Sequence, residues 1–318
     1  MRGIHFKKSA TAQQRRSLQQ EQATSRYSIR FSMLSLKPGS AQQIDQRNYR
    51  VWPFRRKDNR IAIVAVEGII SDSQFDASQS KIIRALEQAR RSRARAIVLR
   101  INSPGGTVGA CQEIYSMIKR IRREGKPVVT SMGDLAASGG VYIGVAADRI
   151  VANPGTVTGS IGVIIKAKNL RQLYQKVGVD SQVIKSGEFK DILSTDRSMT
   201  EEERTLLQAV TDDTHKQFIE AVAENRKMSL EQVLSFADGR IFTGRQAKEM
   251  GLVDELGGLQ TAIDEAAKLA GIKGRPRLVR IAPVKTIWQR ILGPFSAISD
   301  SWEVGPSLSG IPLWLMPR

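Results

Sequence analysis

Apolar positions along this chain fall into two periods that alternate. Arg60 to Ile70 (RIAIVAVEGII) is a β-branched and mostly apolar run, the pattern of a strand buried on both faces. Ser80–Ser92 follows with Ile82, Ile83 and Leu86 on one helical stripe, and Arg95–Ile101 (RAIVLRI) predicts a second buried strand. It ends in the turn Ser103-Pro104-Gly105-Gly106. A helix is expected over Val108–Arg123, with Ile114, Met117, Ile118 and Ile121 on one face, then a third strand over Pro127–Met132. Gly133–Gly140 reads as a loop feeding a short helix that runs to Ala147. Short strands are expected at Arg149–Ala152, Gly162–Ile165 and Asp180–Ile184, with a helix at Leu170–Val177.

The longest helix is placed over Thr200–Asn225, with Thr200 as N-cap and Glu203 three residues on, the spacing of a capping box. Leu259–Ala270 and Leu278–Ile281 close the pattern as helix and strand. Strands alternating with helices predict an α/β layered domain over residues 59–282, with no internal repeat.

Charge changes the picture at the N-terminus. The net charge is +18, and residues 1–60 hold 14 of the 49 Lys/Arg but only 3 of the 31 Asp/Glu. Residues 1–58 are therefore expected to be a basic, disordered arm, and the folded part is only mildly basic. A nucleic-acid role would call for aromatics interleaved with the basic residues; residues 1–50 offer Phe6, Tyr27, Phe31 and Tyr49, so no nucleic-acid partner is expected. No run of 18 apolar residues exists, which predicts no transmembrane helix and a cytoplasmic or peripherally membrane-associated chain. Three of the four tryptophans, Trp288, Trp302 and Trp314, fall in residues 283–318. In that tail Ile287, Trp288, Ile291 and Leu292 share a helix face, suited either to a membrane interface or to a neighbouring subunit.

Candidate chemistry is narrowed by what the chain lacks. One cysteine, Cys111, rules out an internal disulfide, and there is no phosphate loop, no HExxH and no GxSxG. The two histidines are His5, in the arm, and His215, which reads as part of a solvated helix face, so a Ser-His-Asp triad is not expected. A serine hydrolase built from this sequence needs another base, and lysine is the usual substitute.

Three segments could serve. Ser138 lies among small residues where a helix begins and is either a helix cap or a nucleophile near free N–H groups. Asn102-Ser103-Pro104-Gly105-Gly106 is either an ordinary turn or a source of oxyanion donors. Lys190, in Ser186-Gly187-Glu188-Phe189-Lys190-Asp191, is either a surface charge or a base. A lysine base must lose its proton near neutrality, about three units below the ordinary value of roughly 10.4. Burial among apolar groups is the usual means, and Val141–Val145 and Ile161–Ile165 are the candidate walls.

At these segments, and at Ala137-Ser138-Gly139-Gly140 and Gly159-Ser160-Ile161-Gly162-Val163, the sequence resembles the signal peptide peptidase A (protease IV, S49) family. The likeness covers about residues 60–282. The resemblance implies a ClpP/crotonase-like fold of stacked β-β-α turns, with Ser138 as nucleophile, Lys190 as base and Ser160 orienting the lysine. It implies an oxyanion hole from the N–H groups of Gly106 and Gly139. It further implies no metal or organic cofactor, a homo-oligomer whose site is completed by several subunits, and peptide substrates: leftover signal peptides with small or apolar side chains at the cut. Members commonly carry an N-terminal membrane anchor, which this chain does not show. A crotonase-type acyl-CoA enzyme on the same fold, or a catalytically idle scaffold, is the competing expectation.

Overall fold

The computed structural model describes residues 58–72 and 77–281, together with the backbone of 313–315. The basic arm, His5 and the Ile287/Trp288 helix face lie outside the described residues.

Six parallel strands form the main path of an eight-stranded sheet, in the order β10-β7-β6-β4-β1-β11: β1 (Arg60–Glu67), β4 (Ala96–Ser103), β6 (Val128–Ala137), β7 (Arg149–Ala152), β10 (Glu255–Leu256) and β11 (Arg277–Ile281). Alternation along the central strands sorts side chains to two faces, as a parallel sheet covered on both sides requires. Ile61 and Ile63 of β1 and Ala96 and Val98 of β4 pack under α8 (Leu259–Leu269) with Ala262, Ile263 and Ala266. Ala62, Val64, Ile97, Leu99 and Ile101 point to the opposite face. There they meet α1 (Gln79–Arg91), α2 (Val108–Arg123), α3 (Gly139–Val145) and α5 (Glu201–Arg226).

A second small sheet runs β12-β5-β2-β3, from β2 (Ile70–Ser71), β3 (Ala77–Ser78), β5 (Gly105–Thr107) and β12 (Leu313–Leu315). Twice, therefore, the chain follows the same course: a long strand, a short excursion into the small sheet, then a helix. This is the β-β-α turn of the ClpP/crotonase-like fold. The small sheet holds an unexpected element, since three residues of the C-terminal tail pair antiparallel with β5, Trp314 opposite Gly106.

β8 (Val157–Gly159) pairs with the end of β6 and with β9 (Ile241–Thr243). The helices α4 (Arg171–Lys176), α6 (Leu230–Leu234) and α7 (Gly244–Glu249) are short. α5 starts at the expected capping box, in which Glu203 N–H donates to Thr200 Oγ1 and Thr200 N–H to the Glu203 carboxylate.

Three sequence expectations need correcting. The stretch after Met132 is not loop: β6 continues to Ala137, past a register irregularity between Ile101 and Ser103, because β8 supplies a partner for residues 135–137. The strand expected at Gly162–Ile165 is displaced to Val157–Gly159. Asp180–Ile184 forms no strand; its β-branched residues are exposed and, among the described residues, no strand pairs with them.

Phe218 of α5 is fully buried and meets the Tyr142 ring of α3 edge-on, centroids 5.3 Å apart. Removing it leaves a cavity behind the helix that follows Ser138. Phe218→Ala is expected to cost about 3–5 kcal/mol, read as a drop in denaturant midpoint at unchanged slope.

Candidate active site

The site grows from the ends of two neighbouring parallel strands. Ala137 of β6 is in register with Gly159 of β8, so the next residue on each, Ser138 and Ser160, leave the sheet side by side. The Ser138 N–H donates to the Gly159 carbonyl at 2.8 Å, and the Ser160 N–H to the Arg240 carbonyl at 2.7 Å. Both serines adopt left-handed backbone, φ 51° for Ser138 and 52° for Ser160. Such a conformation is strained for a residue with a Cβ, by about 1–3 kcal/mol, and is held only where the surroundings over-determine it. Here the surroundings are a strand on one side and α3 on the other, since the Tyr142 N–H donates back to the Ser138 carbonyl at 3.0 Å. The outcome is a sharp strand–turn–helix elbow, reached without a GxSxG sequence.

Ser138 is 1% exposed, and among the described residues its Oγ has no hydrogen-bond partner. A helix-capping serine would accept from an N–H of the first turn; this one does not. Gly139, the first residue of α3, is buried beside it, at a helix end whose first N–H groups have no partner within the helix.

The Asn102–Gly106 turn is built to lie against this elbow. The Asn102 Oδ1 accepts from the Leu135 N–H at 3.1 Å, tying the turn to β6. The buried Ser103 donates to the Gly68 carbonyl at 2.6 Å and accepts from the Gly105 N–H at 3.1 Å. A Cβ on Gly140 would stand 3.0 Å from the Ser103 carbonyl, so α3 and the turn approach closely. Gly106 is under a stricter demand: its Cβ would fall 1.7 Å from the Ile70 carbonyl, where β2 and β5 run together. The turn thus brings Gly106 and Gly139, from separate elements, to one end of the sheet.

Lys190 is exposed, on a 3₁₀ turn (Glu188–Asp191), at the end of a stretch, residues 171–190, in which every residue but Tyr174 is exposed. The expected walls do not surround it within one chain: Val141, Ile143, Val145 and Ile161 are consumed by the chain's own core. Leu173, Val177, Val179, Val183, Ile184 and Phe189 on the same stretch are exposed, Ile184 completely. His215 also departs from expectation, being half-buried on α5 with a buried Nε2 that has no hydrogen-bond partner among the described residues.

One feature near Lys190 escaped the sequence reading. The Arg197 guanidinium spans two carboxylates, donating to Asp191 at 2.8 Å through both Nε and Nη2, and to Glu203 at 2.9 Å through Nη1. Hydrogen bonds from Arg197 and Lys185 hold the Asp191 carboxyl far below the usual range, and those from Arg197 and the Thr200 N–H bring Glu203 down to about 2.

The Peptidase family S49 model matches residues 120–273, and the Clp protease model residues 56–156. A Synechocystis sp. protein, provisionally named a protease, is 43% identical over 83% of this chain and 99% of its own length. The chain belongs to peptidase family S49. Protease 4 of Salmonella typhi is 38% identical over 67% of this chain, which spans 35% of that protein. The chloroplastic serine protease SPPA of Arabidopsis thaliana is 35% identical over 66% of this chain and 31% of its own length. The S49 chain is thus a serine peptidase on a ClpP/crotonase-like fold, and the acyl-CoA reading is set aside. Among the described residues no helix is long and apolar enough to cross a membrane.

Two outcomes follow. Gly106→Ala must push β2 away from β5, so a stability loss of about 1–3 kcal/mol by urea titration is expected, with activity lost alongside it. The carboxylates bound by Arg197 have lowered pKa values, so they contribute stability above their unfolded values of roughly 4 and lose it as the pH falls towards about 2. Limited pepsin digestion should spare residues 186–199 at pH 4 and cut them at pH 2. The Glu203→Gln chain should be cut at both.

Proposed function

We propose that Ser138 is the nucleophile of a Ser/Lys dyad whose lysine, Lys190, is delivered by a neighbouring copy of this chain. The observation that carries the reading is the Ser138 elbow: a buried hydroxyl without a partner, in strained backbone, at the start of a helix and in register with Ser160. Backbone strain at a serine that caps nothing is what a nucleophile turn requires.

The second support is the stretch that carries Lys190. Its exposed apolar residues are covered if it lies on a second copy, and such a contact gives the lysine the dry surroundings that one chain does not provide. Neutral Nζ then takes the Oγ proton as Oγ attacks the scissile carbonyl carbon. The carbonyl oxygen, now negative, is met by the N–H groups of Gly106 and Gly139. Lys190 returns the proton to the leaving amine, and water, activated by the same lysine, hydrolyses the acyl-serine. Ser160 stands beside Ser138 and is assigned to orient the ammonium.

An Enterococcus faecium relative, 35% identical, is provisionally named a signal peptide peptidase. Residual signal peptides, with small or apolar side chains at the cut, are the substrates proposed here.

Ser138→Ala and Lys190→Ala should each lower cleavage of a signal-peptide substrate by roughly 10³-fold or more, since the pair works as a unit. Mixing the two inactive chains under conditions that exchange subunits should restore a measurable part of the wild-type rate. Near-normal cleavage by Lys190→Ala refutes the base. Two dead parents whose mixed, co-assembled product stays dead refute delivery from the neighbour.

A further inference from the structure

The stretch around Lys190 poses a mechanical problem. No residue of the Glu188–Asp191 turn is buried, so apolar packing does not fix the turn, yet a proton-transfer group must be placed to within about an ångström. A polar clamp replaces the missing packing. Asp191, adjacent to Lys190, receives Arg197 Nε and Nη2 on its two carboxylate oxygens, and its backbone carbonyl receives Nη2 at 3.3 Å. Lys185 donates to Asp191 Oδ1 and to the Glu188 carbonyl, both at 2.7 Å, closing the turn from its other side.

The far end of the clamp is rigid. Glu203 grips Arg197 through both carboxylate oxygens, and its side chain is only 3% exposed. It is also the N3 residue of the capping box that starts α5, the helix whose Phe218 and Val222 lie in the core. A nearly buried carboxylate is tolerated only when paired and fully hydrogen-bonded, and Arg197 supplies that pairing. Asp191 (14% exposed) and Arg197 (30%) are partly shielded as well, unlike the exposed residues 181–190 that precede them. Exposed ion pairs hold geometry poorly; a forked, doubly bidentate guanidinium against a fixed carboxylate does not share that weakness.

We infer that Arg197, anchored on Glu203, is a positioning residue for the proposed base: it transmits the rigidity of α5 through Asp191 to the neighbouring Lys190. The inference rests on the reading of Lys190 as the base. Arg197 itself touches no reacting atom; it sets where the turn stands, and thereby where the lysine is presented.

The test is a mutant cycle on the full-length, assembled protein, read by signal-peptide cleavage and by the rate at which a fluorophosphonate labels Ser138. Arg197→Gln, Arg197→Lys, Glu203→Gln and Lys190→Ala are compared, with Lys190→Ala/Arg197→Gln closing the cycle. Arg197→Gln should lower kcat by roughly 10–100-fold with KM within twofold of wild type. Arg197→Lys, which keeps the charge but cannot fork across two carboxylates, should recover less than half of that loss. On the Lys190→Ala background, Arg197→Gln should slow labelling by less than twofold, because there is no base left to place. Should Arg197→Gln fail to fold or assemble, Glu203→Gln and Arg197→Lys carry the same expectation, since each leaves part of the clamp intact. Wild-type kcat in the folded Arg197 and Glu203 variants, alongside a dead Lys190→Ala, overturns the positioning role and leaves the base standing. An equal loss on both backgrounds overturns it too, by showing that Arg197 acts independently of Lys190. Full activity in Lys190→Ala removes the base, and the positioning role with it.

Discussion

A single backbone hydrogen bond, from the Ser138 N–H to the Gly159 carbonyl, joins the ends of two parallel strands at the point where the candidate chemistry begins. Its position follows from register: Ala137 faces Gly159, so the chain must turn one residue later on both strands. Both turns go left-handed, and both put a serine at the bend. Everything else at that end of the sheet is arranged around these two bends. The Asn102 amide ties the neighbouring turn to β6, Ser103 closes that turn on itself, and α3 packs so closely that a Cβ on Gly140 would stand only 3.0 Å from the Ser103 carbonyl. The parallel sheet, covered on both faces, supplies the rigidity that keeps two strained residues in place.

The proposed chemistry is divided between two mechanical regimes. Ser138 and Ser160 are built into the core and inherit its rigidity from apolar packing. Lys190 belongs to a stretch with little apolar packing of its own, held within one chain by charged side chains, and its apolar residues are exposed. These regimes differ in what disturbs them. Cavities and overpacking threaten the serines, whereas salt, acid and loss of one carboxylate threaten the lysine turn.

That division also explains which parts were legible in the sequence. The helix at Val108–Arg123 and the start of α5 at Thr200 could be read to the residue, because an apolar stripe and a capping box are local signals. Local signals fail where a tertiary partner decides. Gly133–Ala137 looks like loop, its residues small or polar, and becomes strand because β8 pairs with it. Val183 and Ile184 look like strand and stay irregular for want of a neighbour. The serine and lysine motifs were visible as sequence, and the family they suggested is the one the comparisons support. The left-handed angles, the Ile70 carbonyl against Gly106 and the Arg197 clamp were not visible, since each depends on segments far apart in the chain. The pairing of Leu313–Leu315 with β5 was missed for the same reason.

The left-handed bend at Ser138 sets stability against usefulness. Glycine takes that conformation without steric penalty, so a chain with glycine there would hold the bend at least as well but would lack the proposed nucleophile. A serine at that bend carries a strain of about 1–3 kcal/mol that a glycine would not, so whatever its hydroxyl gains in reactivity is set against the stability of the strand ends it joins.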